Sequence, residues 1–207
     1  MIDFIVFGLV AYLLGSIPTA VWIGKAKYGI DLREHGSHNA GATNTFRVLG
    51  KKPGVIVLLI DVFKGFTAVS LPFLFGVGKW GSEELINVQL VVALLAVLGH
   101  VLPLFAGFKG GKGVATSLGV IIGIHPPAAG ICLIVFLIVF ISSKFVSLGA
   151  MIAACCFPML LAFYFKVDSM WLISFSIFLS TAVVYSHKKN IGRLLKGEEN
   201  KMNLFKK

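Results

Sequence analysis

Charged residues are scarce in this sequence. Asp, Glu, Lys and Arg make up 14% of its 207 residues, while hydrophobic residues make up 57%. Soluble domains carry about a quarter charged residues, and a soluble core of this size could not bury so many apolar side chains. The composition therefore excludes an ordinary soluble domain and makes lipid the solvent for much of the chain.

Acidic residues are the scarcer of the two charged kinds. Nine Asp and Glu stand against 19 Lys and Arg, which gives a formal net charge of +10. Nucleic acid is one candidate partner for such a chain, but basic loops beside membrane spans more often report orientation or attract anionic lipids. We therefore expect contact with membrane lipid and no nucleic-acid partner.

Cysteine is rare as well. Cys132, Cys155 and Cys156 are odd in number and lie in apolar runs, which predicts neither a disulfide framework nor a metal site. We also expect no cleavable signal, because the first apolar run lacks a basic leading region and is long enough to span a membrane.

What is present is a series of long apolar runs. A membrane helix needs about 20 apolar residues, and the longest run, from Val114 to Ser143, is interrupted by His125-Pro126-Pro127. Adjacent prolines remove two backbone donors and disfavour a continuing helix, so we divide the run there. The sequence then predicts an all-α, polytopic integral membrane protein, a single domain over residues 1–207, with seven transmembrane helices at about 4–24, 54–78, 85–106, 113–124, 127–142, 146–165 and 169–187.

Basic residues predict how these spans are oriented. Seven spans with the N-terminus outside place 16 of the 19 Lys and Arg residues in cytoplasmic segments, the side that basic residues prefer. A single span over 114–143 would instead put the basic tail after His187 outside. We therefore expect an external N-terminus and a cytoplasmic C-terminus.

A first polar cluster follows the first span at 31–47, DLREHGSHNAGATNTFR. Its hydroxyls, amides and backbone N–H groups can bind a hydroxylated or phosphorylated ligand. A solvated, turn-rich loop is the alternative. The candidate binding residues are Ser37, Asn39, Thr43, Asn44 and Arg47.

A second cluster, 107–116 or GFKGGKGVAT, opens a predicted helix. Its glycines let the backbone approach an anion, and the N-terminus of a helix favours phosphate. It is not a Walker A loop, because Gly113 follows Lys112 where Ser or Thr is required. Phosphate binding is the interpretation that the motif favours, and a basic turn beside the membrane is the alternative.

A third cluster, 186–193 or SHKKNIGR, lies at the end of the last predicted span. His187 and Asn190 are three residues apart and would share a helical face. A lone histidine at a membrane boundary is more often structural than catalytic, but an asparagine partner and a phosphate site on the same side favour a role in catalysis. Lys188, Lys189 and Arg193 are equally well explained by orientation or lipid contact.

A few polar residues fall inside predicted spans. Asp61 and Lys64 are one turn apart and can pair. Charged residues within the membrane tend to be functional, yet we favour a paired structural bridge. We interpret His100 as a core histidine and His125 as a turn on the far side of the membrane.

On the seven-span topology the three clusters meet at one membrane face, and their chemistry favours transfer between two anionic substrates. They offer phosphate-binding glycines, cations, hydroxyls and a histidine, without an acidic pair or a cysteine nucleophile. Orienting two reactants can lower a barrier by about 7–11 kcal/mol, which suits acyl or phosphoryl transfer to a phosphorylated, hydroxyl-bearing acceptor. A transporter of phosphorylated small molecules is the rival, since a broken span beside an anion site is a transporter feature. A scaffold that binds anionic lipids would explain the charge but not the glycine motif.

The chain also resembles a known family in three stretches. GSIPTAVWIGKAKYGIDLREHGSHNAGATNTFRVLGKK, GHVLPLFAGFKGGKGVAT and SHKKNIGRLLKGEE look like the signature regions of the bacterial acyl-phosphate:glycerol-3-phosphate acyltransferases, the PlsY family. The resemblance implies a seven-span inner-membrane enzyme that transfers an acyl group from acyl phosphate to the 1-hydroxyl of glycerol 3-phosphate. The implied products are lysophosphatidate and phosphate, at an early step of phospholipid synthesis. It further implies no cofactor and no metal, and we expect a monomer.

The resemblance assigns roles residue by residue. The implied catalytic residues are Ser37, Arg47, Lys109, His187 and Asn190. The implied substrate-binding residues are Asn39, Thr43, Asn44, Gly110, Gly111, Lys112, Gly113, Thr116 and Ser147. Lys188 departs from the family pattern, which commonly has arginine there, and this puts a bidentate role at that position in doubt. Either His187 or a phosphate oxygen of the donor would take the proton of the acceptor hydroxyl.

Overall fold

The structure is a computed structural model that describes residues 2–202, with side chains from residue 4 onward. Every element of regular secondary structure in these residues is helical. The α-helices are α1 (Ile2–Gly15), α2 (Thr19–Tyr28), α3 (Ala42–Leu49), α4 (Lys51–Leu74), α5 (Glu83–Val101), α6 (Val114–Ile124), α7 (Pro126–Ser143), α8 (Val146–Met159), α9 (Met170–Ser186) and α10 (Lys188–Leu195). Short 3-10 turns cover Leu32–Glu34 and Leu104–Ala106, and a π-helical turn, Leu160–Tyr164, continues α8.

The chain forms two compact units, one ending at Ile124 and the other beginning at His125. The boundary lies where the sequence predicts a helix break. His125 caps α7, because its Nδ1 accepts a hydrogen bond from the backbone N–H of Ala128 at 3.2 Å. That residues 1–207 make a single domain stays a prediction.

Helix α4 is the centre of the first unit and packs against α1, α3, α5 and α6. Backbones meet closely at small residues, as is usual between membrane helices. A side chain at Gly65 would overlap the backbone of Thr116, and one at Gly119 would overlap the backbone of Val62. In the second unit, α8 packs against α7 and α9.

Several helices are suited to lipid. Five stretches of the described chain are long and apolar enough to cross a membrane, or six if the bent pair α9–α10 counts as one span: Phe4–Tyr28, Lys51–Leu74, Glu83–Ala106, Pro126–Ser143, Val146–Tyr164 and the bent pair. Large apolar side chains on them face outward, among them Phe63, Ile138 and Phe163, which are 66%, 63% and 77% exposed. Water would penalise so much exposed apolar surface, and lipid does not.

The first predicted span, 4–24, is broken in the structure. Helix α1 ends at Gly15 and α2 begins at Thr19. Pro18 cannot donate a backbone hydrogen bond. A side chain at Gly15 would overlap the backbone of Ala96, so the end of α1 lies directly against α5. The uniform hydropathy of this run hides the break.

The fourth predicted span, 113–124, is helix α6, which has 11 residues. A helix of that length is about 16 Å long, well short of the roughly 30 Å hydrocarbon core. The seven-span topology and the orientation of the termini stay predictions.

Candidate active site

The loop that contains the first polar cluster is organised around Asn44, which is 1% exposed. Its Nδ2 donates to the carbonyl oxygens of Leu32 at 2.8 Å and His35 at 3.0 Å. Its Oδ1 accepts from the backbone N–H of Ser37 at 2.8 Å and from the Ser37 hydroxyl at 3.1 Å. The amide is thus used within the loop, where it fixes Ser37, and direct contact of Asn44 with a substrate stays a prediction.

The other candidates in this loop differ in exposure. Ser37 and Arg47 are exposed, and Arg47 lies in the last turn of α3. Asn39 and Thr43 are half-buried. The loop therefore presents a positioned hydroxyl and a guanidinium to whatever approaches it.

Asp31 and Arg33 join the two polar segments of the first unit, a role that sequence reasoning missed. The Arg33 guanidinium donates to both carboxylate oxygens of Asp31, at 2.9 and 2.6 Å, and its Nη1 donates to the carbonyl oxygen of Ala106 at 2.7 Å. The hydrogen bonds from Arg33, with a contribution from Lys25, hold the pKa of the Asp31 carboxyl well below its usual range. Two opposite charges two residues apart were the available signal, but the carbonyl partner is 73 residues away.

The turn at Gly110 and Gly111 is attached to the end of α5. The Gly110 N–H donates to the carbonyl oxygen of Val101 at 3.2 Å, and the Gly111 N–H donates to that of His100 at 3.1 Å. A side chain at Gly110 would overlap the carbonyl oxygen of His100. The absence of side chains at these two glycines therefore lets the turn pack against the end of α5. That the same glycines let the backbone approach an anion stays a prediction.

Beyond this turn the chain enters α6. Gly113 has φ of +81°, a left-handed conformation that favours glycine. The first N–H groups of a helix lack intrahelical partners, so the start of α6 can receive an anion. Lys109 is exposed and Lys112 half-buried, while the buried Thr116 hydroxyl has no hydrogen-bond partner among the described residues.

In the second unit, the carboxylate of Glu199 accepts hydrogen bonds from three side chains, two of which are predicted site residues. Its Oε1 accepts from the Ser147 hydroxyl at 2.8 Å and from Asn190 Nδ2 at 2.6 Å, and its Oε2 accepts from Arg193 Nε at 2.7 Å. Burial alone would raise the pKa of Glu199, but these three donors together lower it. Glu199 was missed because it is one of two adjacent glutamates in a basic tail, and nothing in the sequence distinguishes them.

His187 lies at the bend between α9 and α10, where the helix axes turn by 58°. The spacing predicted that His187 and Asn190 share a face of one helix. In the structure His187 lies just before α10, and Asn190 lies within α10. His187 is 4% exposed, and its Nδ1 lies 2.8 Å from the carbonyl oxygen of Val183. A carbonyl only accepts, so Nδ1 carries the proton, and in the neutral form of the ring the lone pair is on Nε2.

No cluster of three or more His, Cys, Asp or Glu side chains in the described residues could hold a metal ion. The three cysteines are free thiols. That the three polar clusters share one pocket, without metal or cofactor, stays a prediction.

Helices with lipid-facing surfaces, joined by polar loops that present a hydroxyl and basic side chains, define a multi-pass membrane protein. A family model described as glycerol-3-phosphate acyltransferase matches residues 5–197. A glycerol-3-phosphate acyltransferase 2 of Bacillus cereus is 45% identical over 96% of this chain and 95% of the relative. The enzyme of Chlorobaculum tepidum is 39% identical over the whole of both chains.

A solved structure agrees with these relatives. The crystal structure of PlsY, an integral membrane glycerol 3-phosphate acyltransferase in its glycerol 3-phosphate form, superposes with a TM-score of 0.87. It is 38% identical and covers 99% of this chain and 100% of its own. This chain belongs to the glycerol-3-phosphate acyltransferase family, the PlsY family, and the predicted resemblance is confirmed.

Proposed function

We propose that this chain transfers an acyl group from acyl phosphate to the 1-hydroxyl of glycerol 3-phosphate. The products are 1-acyl-glycerol 3-phosphate, or lysophosphatidate, and inorganic phosphate, at an early step of phospholipid synthesis. The reaction takes place on the cytoplasmic face of the bacterial inner membrane. The family match over residues 5–197 carries this proposal. The relative of known structure has a glycerol 3-phosphate form and a lysophosphatidic acid form, which suit an acceptor and a product.

The loop around Asn44 suits the acceptor. Glycerol 3-phosphate carries both hydroxyls and a phosphate. The exposed Ser37 hydroxyl, fixed by Asn44, can orient a glycerol hydroxyl, and the exposed Arg47 guanidinium can bind phosphate bidentately. Asn39 and Thr43 extend the set of polar groups beside them.

The turn before α6 suits the phosphate of the donor. Lys109, Lys112 and the N-terminus of α6 would stabilise the negative charge that grows on the departing phosphate. An acyl phosphate is an anhydride with a good leaving group, so the enzyme needs no covalent acyl intermediate. This agrees with the lack of a cysteine nucleophile in either loop.

The reaction needs one proton transfer. The acceptor oxygen forms a bond to the acyl carbon, the bond from that carbon to the phosphate oxygen breaks, and the acceptor hydroxyl loses its proton. His187 is one acceptor for this proton because the tautomer fixed by Val183 leaves the lone pair on Nε2. A phosphate oxygen of the donor is the other. Ser147 and Asn190, both held by Glu199, would contact substrate in the second unit.

Purified protein in detergent tests the reaction. With acyl phosphate and glycerol 3-phosphate, we expect equal amounts of phosphate and lysophosphatidate, and no product with acyl-CoA or acyl carrier protein as donor. Turnover with acyl-CoA but not with acyl phosphate would contradict the donor assignment. Uptake of glycerol 3-phosphate into vesicles without product would instead favour a transporter.

Lys109→Ala and Lys79→Ala form a matched pair, since both remove an exposed lysine from a loop of the first unit. We expect Lys109→Ala to lower kcat/KM by about 100-fold or more, the cost of losing one charge-stabilising donor, and Lys79→Ala to leave it unchanged. If the two changes had equal effects on kcat/KM, the assignment of the donor phosphate to the turn around Lys109 would be contradicted.

His187→Ala, measured across pH, separates the two proton acceptors. If His187 is the base, kcat falls and the acid limb of the pH–rate profile disappears. A variant with the wild-type pH profile assigns the proton to the donor phosphate.

A further inference from the structure

Asp61 and Lys64 are charged residues inside a membrane span that the proposed reaction leaves unused. They lie one turn apart on α4 and are 1% and 4% exposed. Lys64 Nζ lies 2.9 Å from Asp61 Oδ1. Charged groups are expensive inside a membrane span and tend to be retained for function.

One set of contacts leads to the break between α1 and α2. Thr19 Oγ1 donates to Asp61 Oδ1 at 3.1 Å, and Lys64 Nζ donates to the carbonyl oxygen of Ile17 at 2.9 Å. Ile17 lies between the two helices, where its carbonyl is outside any α-helical ladder. Lys64 therefore gives the Ile17 carbonyl a second donor, beside the backbone N–H of Thr19 at 3.0 Å.

A second set leads to the glycine turn. His100 Nδ1 lies 3.8 Å from Asp61 Oδ1, which is close but too far for a hydrogen bond. The opposite edge of the ring lies against Gly111, where any side chain would overlap His100 Nε2. The carbonyl oxygen of His100 also accepts the Gly111 N–H at 3.1 Å. His100 thus contacts the turn with both its ring and its backbone.

A small cavity lies between these groups. Asp61, Lys64 and His100 line it together with Gly110, Gly111 and Ala40, which follows the candidate residue Asn39. It has room for about one water molecule, which is too little for a phosphate group. The charged pair and His100 therefore share this cavity with the glycine turn and with the loop that contains Ala40.

We propose that Asp61, Lys64 and His100 are positioning residues that fix the glycine turn 110–113 and so set the affinity of its phosphate site. The inference rests on the proposed function, because it takes that turn as the phosphate site. Glycine loses more conformational freedom on ordering than any other residue. A turn that is already fixed before binding spares the ligand that cost, and a loosened turn makes binding weaker.

His100→Ala and Gln89→Ala test this as a matched pair. Gln89 is also a buried polar residue of α5, is 2% exposed and donates to the carbonyl oxygen of Val69 on α4 at 2.9 Å. Two quantities are measured on detergent-purified full chain: the inorganic phosphate concentration that gives half-maximal thermal stabilisation, and the KM and kcat for both substrates. The first readout does not require turnover.

We expect both changes to lower the melting temperature. Only His100→Ala should raise the phosphate concentration needed for half-maximal stabilisation, together with the KM for one of the two substrates. We expect a rise of about tenfold or more in each, as when a binding group is misplaced by about 1 Å. If His100→Ala destabilises like Gln89→Ala but keeps the wild-type phosphate dependence and KM, the network is only structural and the inference is wrong.

A double variant tests the contact between the ring and the turn directly. Gly111→Ala alone should weaken phosphate binding, because its methyl group overlaps the imidazole of His100. His100→Ala makes room for that methyl group. In the double variant we therefore expect a smaller loss than the product of the two single losses, and independent effects would overturn the contact.

The two proposals fail in different ways. If wild-type protein is stabilised by phosphate but does not turn over, the proposed reaction is wrong and the phosphate readout still decides the inference. If wild-type protein turns over while His100→Ala retains normal affinity, the reaction stands and the inference falls. Wild-type protein that neither turns over nor responds to phosphate overturns both.

Discussion

The two units organise their candidate residues around hubs of different chemistry. In the first unit a neutral amide, Asn44, makes four hydrogen bonds, two donated and two accepted, and fixes Ser37. In the second unit a carboxylate, Glu199, only accepts, and it fixes Ser147 and Asn190. Asn44 is 1% exposed and the Glu199 side chain 5% exposed, so the polar atoms of both side chains must find their hydrogen bonds within the protein.

The two hubs differ in the free energy that is needed to remove their polar groups from water. An amide carries no net charge, and four bonds within its own loop satisfy it. A carboxylate loses far more on leaving water, and Glu199 is compensated by Arg193, whose side chain is 35% exposed. The amide hub should be insensitive to pH and tolerant of salt, while the carboxylate hub should be stronger and dependent on its charge.

Glu199→Ala should have the largest effect on stability. It removes the acceptor of three hydrogen bonds and leaves Arg193 without its ion-pair partner, so we expect the free energy of unfolding to fall by about 2–4 kcal/mol. Thermal unfolding in detergent measures this. Glu198→Ala is the matched control at the adjacent glutamate, and a loss of equal size there would contradict the hub assigned to Glu199.

Asn44→Ala should cost less but should also lower activity. Leu32 and His35 lose the donor to their carbonyl oxygens, and Ser37 loses its acceptor. Leaving buried polar groups unpaired costs about 1–3 kcal/mol. Because Ser37 is then no longer held, kcat/KM for glycerol 3-phosphate should fall more than stability alone explains. Unchanged kinetics in the folded variant would show that Ser37 needs no positioning.

The charge difference between the hubs predicts different behaviour in acid. The folded-state pKa of Glu199 is lowered, so its contribution is complete above the ordinary glutamate pKa of about 4.3 and is lost as the pH falls through the folded-state value. The stability advantage of wild-type protein over Glu199→Gln should therefore shrink below about pH 4.3. The offset between wild-type protein and Asn44→Ala should stay constant over the same range, and a parallel shrinkage would remove the distinction.

Arg33→Lys should have the smallest effect. A lysine cannot reproduce the two bonds to Asp31 together with the bond to Ala106. Arg33 is partly exposed, so we expect a loss of about 0.5–1.5 kcal/mol and a modest rise in KM. Lys27→Ala changes an exposed basic residue nearby as the control. No change in KM for Arg33→Lys would show that the two loops do not need this connection.

The broad architecture could be predicted from the sequence because hydropathy is a local property. Runs of apolar residues located the membrane helices, and His125-Pro126-Pro127 located the break between α6 and α7. The break at Ser16–Pro18 was missed. It depends on the approach of Gly15 to Ala96 and on Lys64 satisfying the carbonyl of Ile17, and both partners are distant in sequence.

The candidate residues could be named from their motifs, but their tasks could not. Asn44 was predicted to bind substrate, which stays a prediction, and its hydrogen bonds within the loop could not be foreseen. Gly110 and Gly111 were predicted to bind an anion, which stays a prediction, and their close packing against α5 could not be foreseen. Arg33, Glu199 and His100 lie inside the stretches that resemble the family, but nothing in the sequence marked their roles, since each acts through a partner that only folding brings close.

By itself the sequence determined that lipid surrounds much of this chain, which loops are polar, and to which family it belongs. These follow from composition and from the order of residues along the chain. The tertiary structure decided which polar atoms satisfy one another across the chain: Asn44 with Ser37, Glu199 with Asn190, and Lys64 with the carbonyl oxygen of Ile17. A hydrogen bond requires two atoms within about 3 Å, and a linear sequence does not determine distances of that kind.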